Sequence, residues 1–186
     1  MVELLDRPPE VRFTTLEAEI AGDTWGFNCG PGAFCAALGL RPEQARPHFK
    51  GFEDKGYTNP TMMFEALKSY GAWFNTQSAP RGSMLPWPKH GLVRIQWGGP
   101  WMKDGVPMQA RYRQTHWVAS WVSTLGTLAI FDINAIESGG WLNQGPWEND
   151  IVPWLLKECV PRADGTWCMT HAINLMRLPP APGKAA

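Results

Sequence analysis

The chain has 186 residues, a length that suits a single domain able to bury a sizeable core. Hydrophobic residues make up 44% of it and charged residues 18%, and 17 Lys and Arg balance 17 Asp and Glu. This composition excludes a charged, disordered tail protein, and the lack of a basic excess argues against a nucleic-acid partner. No apolar run approaches the roughly 20 residues that a membrane span needs, so we expect no membrane span.

Residues 1–178 are expected to form one domain, in which residues 1–12 are an N-terminal arm, and residues 179–186 are expected to be a disordered tail. The first residues include acids and prolines where a secretion signal would be basic and then apolar. We therefore expect a cytoplasmic location or, for a phage protein, association with the virion or release by lysis.

Four cysteines occur, at Cys29, Cys35, Cys159 and Cys168. None forms a CxxC pair, and no Cys/His spacing resembles a zinc site, so we expect neither a metal nor a cofactor. The pattern fits reduced thiols, with a Cys159–Cys168 bridge as an open alternative.

Two helices are marked in the first half of the chain. The first follows Asn28 and contains PGAFCAALGL, with Pro31 in its first turn and Gly39 near its end. The second contains TMMFEALKSY, which Asn59 can cap and Gly71 can terminate.

The second half of the chain is predicted to be mainly strands. The segment AWFNTQSAPRGSMLPWPKHG is predicted to be mostly loop. Strands are predicted at 91–97, 115–122, 127–134 and 166–178, and 151–160 fits a helix or a mixed element. The second and third runs predict an antiparallel hairpin. Helices followed by an antiparallel sheet indicate the α+β class.

Cys29 is the first candidate for chemistry. It lies between a Gly-containing loop and a predicted helix, and a helix N-terminus stabilises a thiolate. Such a thiolate is a strong nucleophile when a histidine serves as its base. The alternative is a buried structural cysteine, a role that Cys35 fits better.

His116 is the candidate base. Alternation along the hairpin places His116 roughly opposite Asp132, with Asn134 on the same face as Asp132. A carboxylate there can accept the imidazole N–H and fix its tautomer, with Asn134 as a reserve orienter. This is the order of roles in a catalytic triad. The alternative is a histidine that a neighbouring acid satisfies structurally.

Cys29 in NCGPGAFCAALGL, followed by His116 in HWV and Asp132 in FD, resembles the papain-like cysteine peptidases. Within them, the chain is similar to the double-glycine (bacteriocin-processing) peptidases and their wider relatives. The resemblance spans about residues 22–135. It implies a papain-like fold, in which N-terminal helices with the nucleophile at a helix start pack on an antiparallel sheet. It also implies a thiol hydrolase that cleaves a peptide or amide bond with Cys29, His116 and Asp132.

One position departs from that pattern. These families commonly have a glutamine about six residues before the nucleophile as an oxyanion donor, and this chain has Asp23. An ionised carboxylate cannot donate a hydrogen bond to an oxyanion. Asn28 or Gln96, or the backbone N–H of Cys29 with another amide, are the candidate donors; the remaining interpretation is a weak or inactive site.

The chain also has 11 tryptophans, most of which we expect to pack on the core. Trp25, four residues before Cys29, and Trp117, next to His116, are candidates for an aromatic cleft wall.

Two other functions stay open at this stage. Aromatic cleft walls would also suit peptidoglycan, so a peptidoglycan-directed endopeptidase or amidase of phage or bacterial origin is one alternative. Asp23 favours the other, an inactive papain-like domain that serves as a binding, virion or effector component. The expected partner is a peptide or a peptidoglycan-like substrate, and the sequence assigns no role to residues 136–178.

Overall fold

The structure is a computed structural model, and it describes residues 7–79 and 85–178. The α-helices within these residues are α1 Thr15–Trp25, α2 Cys29–Leu38, α3 Pro42–Ala45, α4 Phe52–Lys55, α5 Pro60–Tyr70, α6 Met108–Arg111, α7 Gln144–Pro146 and α8 Val152–Glu158. Short 3-10 turns cover Arg46–His48, Pro100–Met102 and Ile133–Ser138, and a π-helical turn, Trp147–Ile151, joins α7 to α8.

The strands form one antiparallel sheet with the order β1-β6-β2-β3-β4-β5. They are β1 Trp73–Ser78, β2 His90–Trp97, β3 Thr115–Val122, β4 Leu128–Phe131, β5 Trp141–Asn143 and β6 Trp167–Arg177. The predicted α+β class is confirmed, because the helices of the first half precede an antiparallel sheet.

The two predicted helices form where their capping residues indicated. Asn59 accepts a 2.8 Å hydrogen bond from the backbone N–H of Met62, and Gly71 ends α5 in the left-handed conformation. The preceding helix α1 was not predicted, although Thr14 and Glu17 form a capping box at its start. The N-terminal arm, where the structure describes it, is packed on the domain: Val11 packs against the core, and the carbonyl of Pro9 accepts a 3.0 Å hydrogen bond from the indole of Trp141.

The sheet has an apolar cluster on each face. Trp117 and Ala119 of β3 pack with α1, α2 and α5 on one face. Val118 of β3 packs on the other face, where the segment from Trp147 to Val160 covers the sheet. Alternation along β3 therefore places Trp117 under the helices and His116 on the side of Trp147.

The strand predictions fail at edge strand β1 and at the end of β4. Edge strand β1 lies in the segment predicted to be mostly loop. Most of its side chains are exposed, so its sequence shows no apolar alternation that would indicate a strand. The predicted strand 127–134 ends at Phe131, and Asp132 instead caps the 3-10 turn that follows. The register pairs Ala119 with Phe131, two positions away from the register assumed in the sequence argument.

All four cysteines are free, so the alternative of a Cys159–Cys168 bridge is wrong. None of the helices in the described ranges has the length and apolar character to cross a membrane. The predicted tail, 179–186, lies outside the described residues.

Candidate active site

Cys29 is the first residue of α2, at the end of the helix where the dipole is positive. Asn28 caps the helix: its side-chain oxygen accepts from the N–H of Gly30 at 3.3 Å, and its carbonyl accepts from the N–H of Gly32 at 2.8 Å. Its side-chain amide also donates to the carbonyl of Gly56 at 3.1 Å, which ties the cap to a neighbouring loop. Cys29 as a residue is only partly buried.

The start of α2 lies unusually close to the loop before α5. A Cβ placed on Gly30 would be 2.1 Å from the hydroxyl oxygen of Thr58 and 2.5 Å from its Cβ. Only a glycine allows this approach, and so Gly30 brings the loop against the helix that carries Cys29. The buried Thr58 hydroxyl has no hydrogen-bond partner in the described part of the chain.

His116, near the start of β3, lies between Cys29 and Asp132. Its Nε2–H donates to Oδ2 of Asp132 at 2.9 Å, and its ring stacks on Trp97 with the two ring centroids 6.1 Å apart. Cys29 and His116 act on each other's pKa, and the backbone N–H of Trp117 also acts on that of Cys29, so the thiol lies beside the same imidazole and next to the start of β3. Because Nε2 of His116 is bonded to Asp132, Nδ1 is the ring nitrogen left for the sulfur.

Asp132 is completely buried and is held from both of its oxygens. Oδ2 accepts from His116 and, at 3.0 Å, from the indole N–H of Trp147. Oδ1 accepts from the backbone N–H of Asn134 at 3.0 Å and from its side-chain amide at 2.8 Å. Because these donors match the acceptor capacity of an ionised carboxylate, the arrangement fixes both its charge and its orientation.

The electrostatics of the three residues favour a charged pair at the thiol. Burial raises the pKa of Asp132, but the charge of His116 and the hydrogen bonds from His116, Trp147 and Asn134 outweigh it and lower that pKa to about 2. For His116, burial lowers the pKa, whereas Asp132 and Cys29 raise it, with a result well above the ordinary histidine value.

For Cys29, burial raises the pKa, but the charge and hydrogen bond of His116 and the N–H of Trp117 prevail and lower it. Both shifts therefore act in favour of a thiolate beside an imidazolium. Such a pair can attack a carbonyl carbon and can also supply a proton to a leaving group.

The structure thus brings Cys29, His116 and Asp132 together, with different partners around them than the sequence indicated. Asn134 is not a substitute for Asp132, since it hydrogen-bonds to Asp132 itself. Gln96 is fully buried, and its side-chain amide donates to the carbonyls of Trp97 and Gln114.

The side-chain amide of Asn28 donates to Gly56. Neither Asn28 nor Gln96 is thus oriented as a side-chain oxyanion donor. Asp23 is exposed on α1.

The two tryptophans predicted to form a cleft wall are core residues instead. Trp25 is buried and makes edge contacts with Phe27 and Phe52. Trp117 is also buried, and its indole donates to the carbonyl of Thr58 at 2.9 Å. An indole buried in the helical layer cannot contact a substrate, although Trp117 helps to hold the loop that approaches α2.

The sequence did not predict two tryptophans that contact the site but lie far from Cys29 in the chain. Trp147 follows β5 in the segment to which no role was assigned, and Trp97 ends β2. No local pattern distinguishes these two tryptophans from the other nine, because only the tertiary fold brings them to His116 and Asp132. Within the described ranges, no group of three or more His, Cys, Asp and Glu side chains could hold a metal ion.

Comparison of the chain with protein-family models gave no match, and comparison with the sequences of curated proteins gave none either.

Proposed function

We propose that this chain is a papain-like thiol hydrolase that cleaves a peptide or amide bond with Cys29 as nucleophile, His116 as acid and base, and Asp132 as the group that orients His116. The observation that carries the proposal is the position of His116 between two groups: its Nε2 is hydrogen-bonded to the buried Asp132, and Cys29 at the start of α2 interacts electrostatically with the same imidazole. A merely structural histidine would need one carboxylate, but it would not need a cysteine at a helix start beside its ring.

The architecture supports the same proposal. The nucleophile begins a helix that packs on β3 of the antiparallel sheet, and that strand supplies the histidine. This is the arrangement implied by the resemblance to papain-like peptidases. The papain-like fold is therefore part of the proposal.

In the first step, the Cys29 thiolate attacks the carbonyl carbon and forms the C–S bond, while the carbonyl electron pair moves to oxygen. The backbone N–H of Cys29, at the positive end of α2, is the donor best placed for this oxyanion. When the oxyanion collapses, the C–N bond breaks and His116 gives its proton to the leaving nitrogen. A thioester and a free amine result.

In the second step, neutral His116 removes a proton from water as the water attacks the thioester carbonyl. The C–S bond breaks, the acid leaves, and the thiolate–imidazolium pair is restored. Throughout, the buried Asp132 carboxylate keeps Nε2–H of His116 directed at itself and Nδ1 directed at the sulfur.

The test measures both reactivity and turnover. Under native conditions the exposed Cys159 serves as the reference thiol for Cys29, because Cys35 and Cys168 are buried. Mass spectrometry should show that iodoacetamide alkylates Cys29 at least about tenfold faster than Cys159 at pH 6–7. If Cys29 reacts no faster than Cys159, the proposal is wrong.

Turnover is then assayed on a mixed peptide library and on purified peptidoglycan, with Cys29→Ala as the inactive variant and Cys159→Ala as the matched control. Cleavage that is lost only in Cys29→Ala supports the proposal. The substrate that is cleaved separates a protein-directed from a peptidoglycan-directed hydrolase. A fast-reacting Cys29 with no cleavage in either assay would instead indicate the inactive, ligand-binding domain.

A further inference from the structure

A cavity of about 850 Å³ opens beside the proposed nucleophile, within the size range of small-ligand sites. Its walls are the loop Tyr57–Pro60, the end of β1, and residues of β2, β3 and β6 around Arg94, Thr115 and His171. Thr58 in the wall is the residue that packs against Gly30, and Thr115 directly precedes His116. Cys29 and His116 are not among the lining residues of the cavity, but its wall contacts the residue after Cys29 and includes the residue before His116.

The floor of this cavity contains a buried cation. Arg94 is only 6% exposed, yet it is a lining residue of the cavity. In the sheet it pairs with Trp117 of β3, so its side chain leaves the sheet on the helical face, where Cys29 begins α2. Burial lowers the pKa of Arg94, while Tyr112 and Cys29 raise it, so the guanidinium lies within electrostatic range of the sulfur.

The charge of Arg94 is not neutralised by a carboxylate among the residues that the structure describes. Its two terminal nitrogens donate to the hydroxyl of Thr170 and to the carbonyl of Tyr112, each at 3.2 Å. Its Nε–H is buried and has no partner in the described ranges. A buried cation is costly unless an anion accompanies it. Cys29 acts on Arg94 electrostatically, but the described hydrogen bonds of the guanidinium all go to neutral groups, so a carboxylate in the cavity would further stabilise it.

The other residues of the cavity wall place no negative charge beside the positive charge of Arg94. None of its described lining residues is acidic. His171 adds no charge near neutral pH, since burial and the neighbouring Arg94 lower its pKa. Arg113 also lines the cavity but is exposed, so Arg94 is the buried cation that a ligand in this cavity would meet, and its planar fork matches the two oxygens of a carboxylate.

We infer that this cavity binds a carboxylate of the substrate on Arg94, and so directs the hydrolase to amide bonds close to a negative group. The inference rests on the proposed thiol hydrolase and adds its substrate class. An acidic side chain and a free C-terminal carboxylate share the required chemistry.

The first experiment compares a charged and a neutral alkylating agent of similar size. The rate of Cys29 alkylation is measured with iodoacetate and with iodoacetamide, and the ratio of the two rates is normalised to the ratio for glutathione. We expect the ratio to favour iodoacetate in the wild-type protein and to fall roughly tenfold or more in Arg94→Gln, because a hydrogen bond to a charged group is lost. The His116 cation contributes to the ratio in both proteins, so the difference between them isolates Arg94.

Two further variants complete the comparison. Arg46→Gln removes an exposed arginine that pairs with Glu53, and it should keep the wild-type ratio although the net charge changes equally. Arg94→Lys retains the charge without the fork, and it should fall between wild type and Arg94→Gln. If Arg94→Gln does not fold by circular dichroism, Arg94→Lys and protection of the wild-type protein decide: propionate should slow iodoacetamide labelling of Cys29 more than propionamide does.

The final experiment compares peptide substrates that differ only in charge. Peptides with Glu or Gln at each position test an acidic side chain, and peptides with a free or amidated C-terminus test the terminal carboxylate. The inference predicts that one of these pairs shows a preference for the charged member that Arg94→Gln removes.

If Cys29 is fast towards iodoacetamide but the iodoacetate preference survives Arg94→Gln and propionate gives no selective protection, the inference is overturned and the hydrolase stands. If Cys29 is no faster than Cys159, the proposed function fails first.

Discussion

The indole N–H of Trp147 donates a 3.0 Å hydrogen bond to Oδ2 of Asp132, the same oxygen that accepts from His116. Trp147 is fully buried and makes edge contacts with Trp87 and Trp167, so its indole is held from both sides. It begins the helical segment that covers the far face of the sheet. The C-terminal part of the chain therefore belongs to the support of the proposed triad.

We expect Trp147→Phe to lower the free energy of unfolding in a way that depends on pH. The pKa of Asp132 is about 2 in the folded protein, below its ordinary 3.8, so its ionised form stabilises the fold above pH 4 and loses this effect as the pH falls towards 2. Removal of one donor raises the folded pKa and should cost about 1.5–3 kcal/mol at neutral pH. Urea unfolding at several pH values measures the effect.

Trp167→Phe is the matched control, because Trp167 packs against Trp147 and makes no hydrogen bond to Asp132 among the described contacts. The difference between wild type and Trp147→Phe should shrink between pH 4 and pH 2, and the cost of Trp167→Phe should stay nearly constant. A pH-independent cost of Trp147→Phe would mean that the indole contributes packing alone.

Asp132→Asn should strongly reduce the reactivity of Cys29, because it removes the charge of the carboxylate while nearly keeping its shape. The carboxylate raises the pKa of His116, so its neutral replacement lowers that pKa and removes the imidazolium that stabilises the thiolate. We expect iodoacetamide labelling of Cys29 at pH 7 to fall at least about tenfold, with peptide turnover falling further. Labelling kinetics and turnover are both measured on the folded variant.

Asn134→Ala provides the comparison for that variant. It removes one donor to Oδ1 of Asp132 but leaves the backbone N–H of the same residue in place. Labelling should therefore change by only a few-fold, since the carboxylate and its bond to His116 persist. Equal losses in Asp132→Asn and Asn134→Ala would contradict the assignment of Asp132 as the orienting group.

The parts of the site that the sequence predicts depend on local sequence patterns, whereas the unpredicted parts depend on contacts between residues far apart in the chain. The position of Cys29 follows from a local pattern, in which an asparagine cap and Pro31 define the helix start within three residues. His116 lies on a strand of apolar character that the sequence delimits at both ends.

Asp132 reaches His116 by a route other than the one that the hairpin register predicted. Strand β4 ends at Phe131, one residue before Asp132. The carboxylate therefore reaches His116 from the start of a 3-10 turn and not from the opposite position of a hairpin.

The tertiary supports carry no local signal. Trp147 and Arg94 act through contacts across 15 and 76 residues of chain, to Asp132 and Thr170 respectively, and nothing in their neighbouring residues points to those partners. Trp25 and Trp117 show the opposite error, because closeness in sequence to Cys29 and His116 did not place their side chains in the cleft. Edge strand β1 was missed since one face of an edge strand can be polar throughout and still pair through its backbone.

The labelling rate of Cys29 should have an unusual dependence on pH. Its pKa lies below the ordinary thiol value of 9.0, and that of His116 lies well above 6.5, so both shifts extend the pH range in which a thiolate and an imidazolium coexist. Labelling should persist at pH values where an ordinary thiol is protonated. Turnover should fall on the acid side as Cys29 gains a proton and on the alkaline side as His116 loses one.

His116→Gln tests the origin of this pH dependence. Without the imidazolium, burial should raise the pKa of Cys29, and the midpoint of labelling should move to higher pH. Stopped-flow alkylation across the pH range measures both midpoints, with Cys159 of the same sample as the internal reference. An unchanged midpoint would show that the start of α2 alone, and not His116, sets the reactivity of the thiol.

Gly30→Ala should destabilise the protein through a collision with Thr58, although alanine is ordinarily the better helix residue. The added Cβ would be 2.1 Å from the Thr58 hydroxyl oxygen and 2.5 Å from its Cβ, so the loop Tyr57–Pro60 must move away from α2. Such overpacking costs about 1–3 kcal/mol. Urea unfolding measures the cost, and Gly145→Ala, which meets open space, should stay within about 1 kcal/mol of wild type.

The close approach itself is tested by a double-mutant cycle with Thr58→Gly. That substitution removes all the side-chain atoms which the new Cβ would meet, so Gly30→Ala should cost at least about 1 kcal/mol less in the Thr58→Gly background than in wild type. Because the same loop forms a wall of the Arg94 cavity, we also expect Gly30→Ala to weaken the preference of Cys29 for iodoacetate. An additive cycle would mean that Gly30 and Thr58 do not constrain each other, and that another feature holds the loop beside the thiol.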